Sequence, residues 1–128
     1  MTISIAVDIT DISDLSYYVG DGPSEEQSFT VFGVDLIDDI TLSAPTNYEI
    51  SEASESGYGS AITLTESNGI VAETTIYVRL KAGLSAGSYS SEDITISSTG
   101  KISKTVTCSG FVGYWILNIK VFIQGALW

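Results

Sequence analysis

No histidine occurs among the 128 residues, and Cys108 is the only cysteine. A serine or cysteine triad that needs imidazole is therefore excluded, as are a zinc site of the usual Cys/His type and any internal disulfide. A lone cysteine is compatible with either redox compartment. Within Thr105-Val106-Thr107-Cys108-Ser109 it shares a face with Ile102 and Val106 and reads as a small buried hydrophobe. Basic residues are missing from the whole first half. Residues 1–66 hold thirteen acids and no base, and residues 67–128 hold three acids and five bases, for a net charge of −11. So acidic a surface repels nucleic-acid phosphate and anionic lipid, which makes both poor partners, and neither nucleic-acid binding nor membrane insertion is expected. The asymmetry either favours head-to-tail contacts between copies or serves as the solvated coat of an extracellular protein.

No basic n-region and small-residue cleavage site frame the Thr2-Ile3-Ser4-Ile5-Ala6-Val7 start, so no secretory leader is visible. The most apolar stretch, Phe111 to Trp128, carries Asn118, Lys120 and Gln124 and is short for a hydrocarbon core of about 30 Å. No window of ten or more residues has apolar positions at helical spacing.

What the chain does contain is alternation. In Thr74-Thr75-Ile76-Tyr77-Val78-Arg79-Leu80, Ile76, Val78 and Leu80 fall on one face, and Thr75, Tyr77 and Arg79 on the other. Strand side chains alternate with period two, so one face is specified as buried and one as wet. The same pattern recurs in Ile3 to Ile9, around Leu15 and Tyr17, and in Ser28 to Val34, where Phe29 and Val31 point inward. It returns in Ile40 to Ala44, Tyr48 to Ile50, Ser60 to Thr65, Tyr89 to Ser97 and Ile102 to Ser109. Between these runs stand turn signals: Gly20-Asp21-Gly22-Pro23-Ser24, Pro45-Thr46-Asn47, Ser67-Asn68-Gly69 and Thr99-Gly100-Lys101. Short strands with turns every 8–12 residues predict an all-β, antiparallel two-sheet sandwich over residues 1–110.

Residues 111–128 differ. Trp115, Leu117, Ile119, Val121 and Ile123 form one face of a strand that is apolar on nearly both sides. An uncovered apolar edge strand invites aggregation, so these five are the candidate partner-binding residues. The segment is an extra strand of this domain, the start of a following module, or a strand donated to a neighbouring copy.

The order of pieces resembles the immunoglobulin-like β-sandwich repeat modules of large secreted bacterial surface proteins. The resemblance rests on Gly22 to Val31, on Asp39 to Ser51, and on Gly57-Tyr58-Gly59-Ser60. It continues through Thr75 to Lys81, Ala86-Gly87-Ser88-Tyr89 and Val106-Thr107-Cys108-Ser109-Gly110. It implies an immunoglobulin-like sandwich of seven or eight strands, strung beside other domains, with an extracellular or cell-surface location and no catalytic residues. Phe32 stands where such modules carry a small hydroxyl residue, and Cys108 where they carry an aliphatic one. Leu117 to Gly125 is similar to the opening strand of a module that often follows these repeats.

Catalysis has little to work with. Asp38 and Asp39 are adjacent, as are Glu25 and Glu26, so on a strand each pair diverges. Asp35, Asp38 and Asp39 offer hard oxygen ligands for Ca2+ but lack a dedicated loop's glycine turn and terminal glutamate, and they also suit turn capping. Glycan binding calls for exposed aromatics, for which Tyr58 and Tyr77, with Phe32, are the candidates. The expectation is a non-catalytic structural or adhesive module of an extracellular bacterial surface assembly, with neighbouring domains or copies of itself as partners. The alternatives are a filament or coat subunit joined by strand exchange through its terminal strands, Thr2–Thr10 or the tail, and a glycan-binding module.

Overall fold

The computed structural model describes residues 3–116 and 119–121. Ten strands and no helix occur among them: β1 (Ile5–Val7), β2 (Asp11–Tyr18), β3 (Gln27–Gly33), β4 (Ile40–Ser43), β5 (Tyr48–Ser51), β6 (Ala61–Leu64), β7 (Val71–Leu80), β8 (Gly87–Ser97), β9 (Lys104–Ile116) and β10 (Ile119–Val121). The first sheet has the order β1-β3-β7-β5. The second runs β10-β9-β8-β4-β6, with β2 lying parallel to β9. The remaining pairings are antiparallel, which makes the molecule the two-layer all-β sandwich that the alternation predicts.

The inward residues are those of the period-two pattern. Phe29, Val31, Ile40, Leu42, Ile76, Val78, Leu80, Ile94, Ile96, Val106 and Cys108 are all essentially inaccessible, and they meet in one core between the sheets. Cys108 is thus the small hydrophobe its neighbours imply. Ile102 does not share its face: β9 begins only at Lys104, and Ile102 is exposed in the preceding turn. The first strand is also shorter than Ile3 to Ile9. Only Ile5–Val7 pairs with β3, and the chain then crosses between sheets at Asp8–Thr10 to begin β2, so one edge is served by two short strands.

The last long strand continues past Ser109, through Gly110, to Ile116. β2 and β8 flank it up to Gly113 and Val112 respectively, and Val112 is buried. Both flanking strands break register beside the same stretch of β9, β2 between Ile12 and Leu15 and β8 between Tyr89 and Glu92. Each irregularity holds a residue at positive φ, Asp14 at 66° and Ser91 at 59°. The extra residue lets Ile12, Leu15 and Tyr17 all face the core although their spacing departs from two.

Gly110 lies where the strands converge. A Cβ there would stand 2.0 Å from the Leu15 carbonyl oxygen and 3.2 Å from the Tyr48 hydroxyl, so no side chain fits. Tyr48 is fully buried, and its hydroxyl donates to the Tyr89 carbonyl at 2.6 Å, linking the sheets where β8 is irregular. Gly110→Ala should force β2 away from β9 and cost about 2–4 kcal/mol in denaturant unfolding. Tyr48→Phe, which strands one buried carbonyl, should cost about 1–2 kcal/mol. A Gly110→Ala protein with the wild-type midpoint would contradict this account of the β2–β9 pairing.

Candidate functional site

Side chains beyond the core gather on the outer face of the first sheet and at the end of the sandwich where β3 meets β4, while the candidate partner-binding residues fall in the C-terminal stretch. On the outer face, the β5–β7 ladder sets Glu49 opposite Arg79. Arg79 Nε donates to Glu49 Oε2 at 2.7 Å, and its guanidinium carbon lies 3.8 Å from the centre of the Tyr58 ring. Tyr58, half-buried in the loop after β5, donates its hydroxyl to Glu26 Oε1 at 2.6 Å. The same carboxylate accepts from the Glu55 N–H at 2.9 Å and from the Ser54 hydroxyl. A depression of about 560 Å3 lies alongside, lined by Pro23, Ser24, Glu25, Glu26, Glu55 and Arg79.

The electrostatics follow from these contacts. Burial, and then the Glu26 carboxylate to which it donates, keep the Tyr58 hydroxyl protonated well above its usual range. Burial pushes Glu26 upward, but the Ser54, Tyr58 and Glu55 donors and the Arg79 charge outweigh it and hold the carboxyl below its usual value. Glu26 is therefore ionised with both oxygens in use, a poor proton donor or acceptor despite the depression beside it. One face of Tyr58, the surface on which a sugar ring would stack, is covered by Arg79. Tyr77 is half-buried on β7, opposite Ser28 and Ser51. Phe32 is exposed on β3 opposite Ala6, on the first sheet's edge pair.

At the β3–β4 end, the three aspartates singled out for Ca2+ do not converge; among the described residues no group of three or more His, Cys, Asp or Glu is placed to hold a metal. They fasten loops instead. Asp38 accepts from the Thr99 hydroxyl at 2.8 Å and from the Asp39 N–H at 2.8 Å, donors that in that order lower its pKa. Asp39 accepts from the Glu66 N–H at 3.0 Å, and Asp35 takes a positive φ of 53° in the loop. The β3–β4 loop is thereby tied to both the β6–β7 and the β8–β9 turns. Linear spacing carried the cluster but could not show that its partners come from Glu66 and Thr99.

In the C-terminal stretch, β9 ends at Ile116 and β10 returns antiparallel, with Ile119 opposite Ile116 and Val121 opposite Tyr114. The five-residue face expected from Trp115 to Ile123 is thus divided between two strands, because the chain reverses between them. Leu117 and Ile123 lie outside the described residues.

No family model matches the chain, and no curated protein matches it. Among solved structures it is similar to the CooA pilin subunit of enterotoxigenic Escherichia coli, at 12% identity and a TM-score of 0.47, over 85% of this chain and 98% of that one. It is also similar to PapD-like domain 7 of human CEP192, at 15% identity and a TM-score of 0.52, over 88% and 87% of the two chains. The second likeness shows the fold: the sandwich is immunoglobulin-like.

Three tyrosines give the arrangement a spectroscopic signature. Burial is the leading cause that raises Tyr17, Tyr48 and Tyr58 above the ordinary tyrosine value of 10.0. Their folded-state pKa values exceed the unfolded ones, so the stability they lend is complete below about pH 10 and is lost as pH rises beyond it. In an absorbance titration these three should ionise only together with alkaline unfolding, and Tyr58→Phe should remove one of them from that coupled step. Smooth ionisation of every tyrosine while the fold persists would refute the environments described.

Proposed function

We propose that the chain is a non-catalytic structural or adhesive module of an extracellular surface assembly. The observation that carries this reading is how the chain uses the polar side chains outside its core. Its polar clusters are spent on its own loops: Glu26 holds the loop after β5, and Asp38 and Asp39 hold the β3–β4 end. No helix among the described residues is long and apolar enough to cross a membrane. Strand exchange through the terminal strands has less support, since β1 and β10 both pair within their own chain. A glycan-binding reading also has less, because Tyr58 is covered by Arg79 and donates its hydroxyl to Glu26.

The location is open to direct test. Antibodies raised against the folded chain should label intact cells of the source organism or its secreted fraction, at the level seen after lysis. Labelling that appears only in lysed cells would overturn the surface reading.

A further inference from the structure

Four exposed isoleucines gather at the β3–β4 end. Ile37 is 72% exposed in the β3–β4 loop, Ile70 48% in the turn before β7, Ile102 46% in the turn before β9, and Ile3 57% just before β1. Single exposed apolar residues need no explanation, but several on adjoining loops of one end mark a contact surface. These loops do adjoin. A Cβ at Gly100 would lie 3.4 Å from Ile37 Cδ1, and one at Gly69 would lie 3.2 Å from the Leu36 carbonyl oxygen. Val34 N–H donates to the Ser4 carbonyl at 2.8 Å and Leu36 N–H to the Gly69 carbonyl at 2.9 Å. With the Asp38–Thr99 and Asp39–Glu66 bonds, these contacts hold the loops in a preset arrangement before any partner arrives. Asp35, Asp38, Asp39 and Glu66 place negative charge among the isoleucines, against the two bases Lys101 and Lys104.

We infer that this acid-rimmed isoleucine end receives the C-terminal end of a second copy, in a head-to-tail contact. Charge complementarity selects the occupant. On a chain of net charge −11, residues 94–128 contain no acid, and the only charged side chain of residues 111–128 is Lys120, on β10. That segment alone combines apolar character with freedom from the repulsion that opposes the approach of any other face. Lys120 on β10 pairs with Trp115 at the far end of β9 from the isoleucines, so the contact is heterologous, and each copy keeps one free end for the next.

The inference rests on the structural reading above, and its test is independent of cellular location. The end is blocked by Ile37→Lys with Ile70→Lys, and the tail by Lys120→Glu with Val121→Asp; Lys120→Glu alone serves if the double tail variant does not fold. Each is first confirmed by circular dichroism to keep the wild-type thermal transition. In sedimentation equilibrium, the wild-type average mass should rise with concentration. Each blocked variant should stay at the mass of one chain, and their equimolar mixture should reach twice that mass and stop. A wild-type protein that remains monomeric, blocked variants that still self-associate, or a mixture that stays at the monomer mass would each overturn the contact. Monomeric protein on intact cells sinks this contact and spares the surface role; assembling protein confined inside cells does the reverse.

Discussion

The close passage at Gly110 is the constraint on which the sandwich is organised. β9 is flanked along its middle by two strands, β8 antiparallel and β2 parallel, and all three backbones converge where Gly110 leaves no room for a Cβ. The convergence sets Leu15 against β9 from one side and the buried Tyr48 hydroxyl near it from within the core. Tyr48 in turn donates to Tyr89, beside the irregularity in β8. One small residue thus joins the sheet switch after β1, the register break in β8 and the deepest polar link between the layers. Burial has a chemical consequence here too. It leads in pushing the Cys108 thiol up to about 12, with Asp93 and Glu92 adding to the shift, so at neutral pH the thiol packs as a hydrophobe and does not react as a thiolate.

Away from the core, polar residues serve the loops. Asp38 and Asp39 resemble a fragment of a cation loop only in one dimension; in three, each faces a donor from a different turn. Such hydrogen bonds contribute little one by one at an exposed surface. Their value is geometric, since three connections that would move separately are held as one end with Ile37, Ile70 and Ile102 exposed on it. The outer-face cluster works the same way: Glu26 draws Ser54, Glu55 and Tyr58 together, and Arg79 closes over the ring.

The sandwich was legible because period two survives in nearly every strand, as in Ile76, Val78 and Leu80 or Ile94 and Ile96. Less legible was the path between sheets, although a signal existed. Ile12 to Leu15, and Tyr89 to Ile94, both change parity, and a parity change inside an alternating run marks an inserted residue. Asp14 and Ser91 are those breaks seen in the backbone. The extent of β9 was hidden by Gly110, which reads as a terminator in sequence yet is buried mid-strand as the one residue that fits. The Tyr58–Arg79–Glu26 cluster had no linear signature at all, because its members come from separate strands and loops and meet only when β5 pairs with β7.

These features constrain function together. Among the described residues, no buried side-chain nitrogen or oxygen lacks a hydrogen-bond partner. The polar groups that cluster outside are likewise engaged with their own chain. Exposed isoleucines stand at the β3–β4 end, and β10 pairs with β9 at the other end in a stretch of sequence free of acids. Hydrophobic attraction has no direction of its own, whereas an acidic rim set against an otherwise uncharged tail bearing one lysine does. In the proposed head-to-tail contact, that pairing gives a chain with a strongly repulsive surface one orientation in which copies approach at low electrostatic cost.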